Sequence, residues 1–398
     1  MKILCVISQA LVCDWLFNLG AEMKKTAALI AGLTLCAASV QAADLNIWNW
    51  SDYIGANTVK DFIKATGLKQ TNYAVFDSNE MVEARLLSGH SGFDAINTPS
   101  YYIPRLAKAG ALQKIDHSKI PMWNELDKTR MKKLAEIDPD NAYAYPYTEI
   151  SVGIGYNKGK IEKIFGKDFK VDSWSFLFDK KNSDKLAQCG IAVIDEPIEV
   201  ISAVMHYQGK DPTSEKAADY KEAQAVLTDL ARNTSYFHSS RYINDLASGE
   251  VCAVIGYSGD VLQARARART ANPDTDIEYV VPKEGSPMWF DCWAVPADAE
   301  HYDNAMKWFN YLITPDNAAA VGNEIRYFMP VTNAISKLDK ELSGNPSIFL
   351  SDELMSKMYL MQPTTSKMSR ITNQVWNAMK LDSAKKGDDS SDDANGWD

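Results

Sequence analysis

Within four residues, Trp50-Ser51-Asp52-Tyr53 presents an indole face, a hydroxyl, a carboxylate and a phenol. That set suits an organic cation: the carboxylate takes its charge, and the aromatic faces take both charge and methylene groups. Four other places share this character: Asp195-Glu196-Pro197-Ile198-Glu199, Gly256-Tyr257-Ser258-Gly259-Asp260, Trp289-Phe290-Asp291 and Arg326-Tyr327-Phe328. Taken singly, each has a bland reading, since an acid near a helix start is usually a cap and a Trp or Tyr is usually core. Their shared composition points to a box for a small cationic metabolite.

Other chemistries find little support. The five histidines, at 90, 117, 206, 238 and 301, have no HExxH or i,i+4 spacing. Gly153-Ile154-Gly155-Tyr156-Asn157-Lys158-Gly159 resembles a nucleotide loop with one residue too many, and reads instead as a tightly packed strand. GxSxG and Walker A motifs are absent, and no Ser-x-x-Lys is followed by matching partners. No catalytic residue, metal site or cofactor is assigned, although a secreted enzyme acting on a cationic substrate is a competing reading. A second is a ferric-iron receptor, because the adjacent Tyr101-Tyr102 supply hard oxygen ligands. The tryptophans and additional carboxylates would have no task in such a site.

Short apolar strands alternating with helices must hold these groups. The first strand, which starts at Leu45 and runs directly into Trp50-Ser51-Asp52-Tyr53, leads to a helix at Val59–Thr66 with Thr58 as its cap and Gly67 at its close. Strands at Tyr73–Phe76 and Phe93–Asn97 flank a helix at Glu80–Leu87. The alternation resumes with strands at Gly153–Tyr156, Ala192–Ile194, Ala253–Tyr257, Tyr279–Val281 and Cys292–Val295. Helices are expected at Pro197–Tyr207, Glu215–Ala231, Asn304–Leu312 and Pro315–Val321. Such βα order argues for an α/β fold with parallel or mixed sheets wrapped by helices. In open sheets of this kind ligands bind at the carboxyl ends of strands, where the motifs fall.

Met23-Lys24-Lys25, the small apolar run Ala27–Ala38 and Val40-Gln41-Ala42 form a secretory signal, with residues 1–22 as an upstream extension and cleavage near Ala42. Cys36 follows the bulky Leu35, which argues against a lipoprotein. Residues 43–398 suffice for two domains. A formal net charge of −10 disfavours nucleic acid and favours cationic ligands. In an oxidising compartment one disulfide can form among Cys189, Cys252 and Cys292. Cys189 and Cys252 adjoin strands that could be sheet neighbours, and Cys292 reads as buried and free. The acidic segment 384–398 is expected to be disordered.

Several strings closely resemble the spermidine/putrescine-binding periplasmic proteins of bacterial ABC polyamine importers. They include Asn49-Trp50-Ser51-Asp52-Tyr53, Val75-Phe76-Asp77-Ser78-Asn79-Glu80, Val171-Asp172-Ser173-Trp174, Phe237-His238-Ser239-Ser240, Tyr242-Ile243-Asn244-Asp245-Leu246-Ala247 and Pro282-Lys283-Glu284-Gly285. The resemblance runs from Leu45 to about Leu381. It implies a type II periplasmic-binding-protein fold, two α/β lobes joined by a hinge with the ligand cleft between them. One lobe would comprise 43–147 and 270–324, the other 148–269 and 325–383. It also implies a Cys189–Cys252 disulfide, a periplasmic location, a polyamine ligand and an inner-membrane ABC permease as partner, with the receptor a monomer.

By position, the resemblance places Trp50 and Tyr53 against the polyamine chain, with Ser51 and Asp52 near one amine. Glu199 would contact an amine from the second lobe, and Asp260 and Asp291 would be central carboxylates, Asp260 the strongest anchor. Tyr257, Trp289 and Tyr327 would complete the aromatic box, with Ser239 hydrogen-bonding an amine. Tyr101, Glu196 and Trp289 depart from the putrescine-preferring pattern and favour spermidine, whose extra amine Glu196 could pair. Ser51-Asp52 keeps the putrescine type, and Tyr257 replaces a more usual Trp.

Overall fold

The computed structural model describes residues 43–392; the expected signal at 1–42 lies outside the described residues, as does 393–398. Among the described residues eleven strands form one mixed sheet system. Strand β1 (Leu45–Trp50) pairs in parallel with β2 (Thr71–Phe76) and β3 (Ala95–Pro99). A second parallel block joins β6 (Ile191–Val193), β7 (Tyr236–Phe237) and β8 (Ala253–Tyr257). Two long antiparallel strands connect the blocks: β5 (Ala144–Asn157) and β10 (Pro287–Pro296). The first half of β5 pairs with β10 as far as Ser151, and from Val152 it pairs with β8. One strand thus serves both halves of a two-lobed α/β molecule.

Short strands complete the edges: β4 (Leu112–Gln113) and β11 (Tyr359–Leu360) pair with β10, and β9 (Ile277–Val280) with β5. Because β9 pairs with Ile154–Asn157, residues 277–280 go with the β8 block, beyond the lobe boundary expected at 270. The expected strands Gly153–Tyr156 and Cys292–Val295 cover only the late parts of β5 and β10, whose earlier residues carried no strand expectation. Both are buried on both faces, so no alternation marks where they end.

Helices follow the strands. Helix α1 (Thr58–Thr66) starts one residue earlier than expected, with Asn57 rather than Thr58 at the cap position, and ends on left-handed Gly67. In α2 (Asn79–Leu87) the hydroxyl of Ser78 accepts from the Met81 amide and closes the open first turn. Helix α3 (Pro197–Tyr207) carries Pro197 at its first turn, where no amide is required. Next come α4 (Ala217–Ala231), α5 (Tyr242–Ser248) and α6 (Ser258–Ala271). Helix α7 (Tyr302–Ile313) buries Ala305, Met306, Trp308, Phe309, Leu312 and Ile313, a stripe at helical period. Trp308 meets Phe62 edge-on at 5.0 Å and Trp293 at 5.8 Å, tying α7 to α1 and β10.

Helix α8 (Pro315–Ile325) precedes the Tyr327 motif, and α9 (Ser366–Asp392) ends the described chain. The backbone of α9 is helical to Asp392. Cys189 and Cys252 are joined in a disulfide with Cα atoms 5.5 Å apart, and Cys292 is free and buried. The Gly153–Gly155 run lies in β5, where a Cβ on Gly155 would stand 2.6 Å from Val261, as tight strand packing requires. Among the described residues no helix is long and apolar enough to cross a membrane.

Candidate functional site

The carboxyl ends of β1, β3, β6, β7 and β8 converge on the middle of β5 and β10, and there a cavity of about 370 Å³ opens. Ten of the thirteen residues expected in the site line it: Trp50, Ser51, Tyr53, Glu199, Ser239, Tyr257, Asp260, Trp289, Asp291 and Tyr327. Topology explains the convergence, because parallel strands splay at their carboxyl ends and leave a crevice between neighbouring loops.

Three carboxylates face the cavity, each almost fully buried and each held by hydroxyl or indole donors. Glu199 accepts from the Tyr101 hydroxyl at 2.6 Å and the Tyr257 hydroxyl at 2.9 Å. Asp260 accepts from Tyr327 at 2.7 Å and Tyr242 at 2.8 Å. Asp291 accepts from Trp289 Nε1 at 2.8 Å. Among the described residues no lysine or arginine pairs with any of the three; the ion pairs present all lie elsewhere. Burial pushes Glu199 up to about 8, Asp260 up to about 7 and Asp291 up to about 6, despite the donors that oppose the shift. A buried acid without a counter-charge takes up a proton, which an arriving cation can displace.

Aromatic walls complete the box. Trp289 meets Tyr257 edge-on at 5.8 Å, and Tyr53 meets Tyr327 edge-on at 5.1 Å. Tyr53 is fixed from behind, its carbonyl accepting from Tyr147 at 2.9 Å and Asn49 Nδ2 at 3.1 Å, and its hydroxyl bonded to Thr148. Gly259 is needed where it stands, since a Cβ there would run into the Tyr327 ring.

Asp52, Tyr101 and Glu196 do not line the cavity. Asp52 has left-handed backbone (φ 54°), which turns its carboxylate away to an ion pair with Arg267 at 2.7 Å. Its carbonyl accepts from Gln263, so the turn after β1 is fastened to α6. Asp77 makes a matching bridge, accepting from Ser51 at 2.8 Å and Ser240 at 2.7 Å. Together these contacts rim the cavity.

Tyr101 stands behind Glu199 as its donor. Glu196 lies behind Asn79, whose Nδ2 donates to it at 3.3 Å, and one oxygen of each side chain has no partner. Burial, then the charges of Glu80 and Glu199, raise the Glu196 carboxyl well above its ordinary range.

Sequence reading did not assign Asn79, Pro99, Ile150 and Ser240 to the site, though all line the cavity, and Tyr242 supports it from behind. Asn79 could be read only as part of a helix start. Ile150 has an ordinary strand identity, so no signal marked it.

Residues 57–349 match a family described as bacterial extracellular solute-binding protein. The chain is 40% identical over 358 residues to the putrescine-binding periplasmic protein PotF of Escherichia coli, covering 88% of this chain and 96% of that one. It is 38% identical over 364 residues to the putrescine-binding periplasmic protein SpuD of Pseudomonas aeruginosa, covering 90% and 99%. Among solved structures, the spermidine/putrescine ABC transporter substrate-binding protein PotD of Streptococcus pneumoniae superposes with a TM-score of 0.68 at 23% identity. That match covers 85% of this chain and 99% of PotD, and it speaks to the fold.

Proposed function

The chain belongs to the bacterial extracellular solute-binding proteins, a family of binding proteins and not enzymes, and we propose that it is a periplasmic polyamine receptor. It binds its ligand as a monomer, closes its lobes around it and delivers it to an inner-membrane ABC permease. The observation that carries this reading is the cavity itself: Glu199, Asp260 and Asp291, buried and without a cationic partner, spaced among aromatic walls. Ammonium groups would supply the missing charges, and the methylenes between them suit the faces of Trp50, Tyr53, Tyr257 and Trp289. The names of PotF and SpuD support the same ligand class. We take the lobes to be divided as the sequence suggests, with the return to the first lobe moved past Val280 because β9 pairs with β5.

Within the class we assign spermidine ahead of putrescine. What supports this is the unpartnered oxygens of Glu196 and Asn79 next to Glu199, which could accept from a third amine. Titration calorimetry of residues 43–398, freed of ligand by unfolding and refolding, tests both levels against putrescine, cadaverine, agmatine, spermidine and spermine. One-to-one binding to any of them is the expected result, with spermidine tightest. Tighter putrescine binding would overturn the spermidine assignment, and silence from folded protein across the panel would overturn the receptor reading.

A further inference from the structure

Helix α9 contributes nothing to the cavity lining, yet two of its side chains reach the segment that carries Glu196 and Glu199. Trp376 Nε1 donates to Asp195 Oδ1 at 2.8 Å, and Lys380 Nζ donates to the two Asp195 oxygens at 2.7 and 2.8 Å. Asp195 sits between the short strand β6 and Pro197 at the start of α3. Its own amide donates to the hydroxyl of the cavity residue Ser239 at 3.2 Å.

The same two side chains hold the neighbouring strand end. Trp376 meets Phe237 of β7 edge-on at 5.3 Å, and the Lys380 ammonium lies 5.4 Å from the Phe237 ring. Phe237 is followed directly by His238-Ser239-Ser240, of which the two serines line the cavity. Residues four apart share a helix face, so a single stripe of α9 grips both strand ends that deliver this wall of the site.

We infer that Trp376 and Lys380 are positioning residues for ligand binding, acting through Asp195. The Asp195–Lys380 pair is partly exposed, with side chains 38% and 34% accessible, and by itself adds little to stability. Its value is geometric. Three donor contacts converge on one carboxylate at a corner where Pro197 offers no amide, and Trp376 is buried beside it. The corner's orientation sets where Glu199 and Glu196 stand relative to Asp260 and Asp291, and hence the amine spacing the box accepts. Lys380 also neutralises Asp195, leaving Glu199 as the acid of this segment that faces the cavity, with Glu196 behind Asn79.

This inference rests on the polyamine reading. The test compares binding of spermidine and putrescine to the exported full-length protein and to Lys380→Met, Lys380→Arg and Trp376→Phe. Lys380→Met is expected to weaken spermidine about tenfold, the lower end of what losing an orienting partner behind a binding group costs, and putrescine less. Lys380→Arg, which keeps the charge and the donors, should restore spermidine to within about threefold of the parent. Trp376→Phe should move the same ratio in the same direction. Should Lys380→Met not fold, Asp195→Asn, which keeps an acceptor for Trp376, must shift the ratio instead. Unchanged affinities for both ligands, with or without a lower melting temperature, would overturn the inference. A parent protein that binds no polyamine would bring down the receptor reading and this inference with it.

Discussion

Ligand binding should expel protons, because the buried acids of the cavity hold them when no cation is present. With Glu199 at about 8, Asp260 at about 7 and Asp291 at about 6, the three groups together carry about 1.5 protons at pH 7. A bound dication favours the ionised forms, so its arrival lowers these values and releases the protons. The sign follows: affinity rises with pH through the window from about 6 to 8 and levels off once all three acids ionise unaided. With about 1.5 protons released, affinity should climb about 30-fold between pH 6.5 and 7.5. Calorimetry at pH 7 in buffers of different ionisation enthalpy reads the released protons directly from the slope of observed enthalpy. A slope of zero, with affinity flat from pH 6 to 8, would refute the reasoning. The acids would then already be hydrated and ionised in the ligand-free protein, or the ligand would not meet them.

Asp260→Asn should cost about 2–5 kcal/mol of binding, because the ammonium would lose its buried counter-charge while the amide oxygen keeps an acceptor for only one of Tyr327 and Tyr242. Equilibrium titration checks the loss, with circular dichroism to show an intact fold; unchanged affinity would mean the anchor lies elsewhere. Gly259→Ala should displace the Tyr327 ring and weaken binding as much as loss of that ring in Tyr327→Ala, and wild-type affinity in the alanine variant would contradict the contact. Arg267→Met should break the rim pair with Asp52 and speed ligand release more than it slows capture, as stopped-flow fluorescence would show. Trp289→Phe removes the donor to Asp291 and should weaken spermidine more than putrescine; equal effects on both would count against the spermidine assignment.

The order of strands and helices was legible because hydrophobic runs, caps and breakers are local signals. The helix from Pro197 to Tyr207 and the strand from Ala253 to Tyr257 have the bounds that the sequence suggested. The residue types that gather at the cavity were legible too, since acids and aromatics placed together at strand ends suit a cationic ligand. The partners of those groups were not. Nothing local says that Asp52 turns left-handed and meets Arg267, some two hundred residues away, or that Tyr101 donates to Glu199.

The distinction between lining and backing residues arises only when strands distant in the chain are set side by side. Asp195, Glu196 and Glu199 show it within five residues. One is turned to α9, one stands behind Asn79 and one faces the cavity. Residue identity determined by itself that carboxylates and aromatic faces would be available for a cation. Which of them lost water and counter-charge, and therefore which can bind, was decided by tertiary packing, because desolvation and charge pairing depend on what surrounds a group in space and not on its neighbours in sequence.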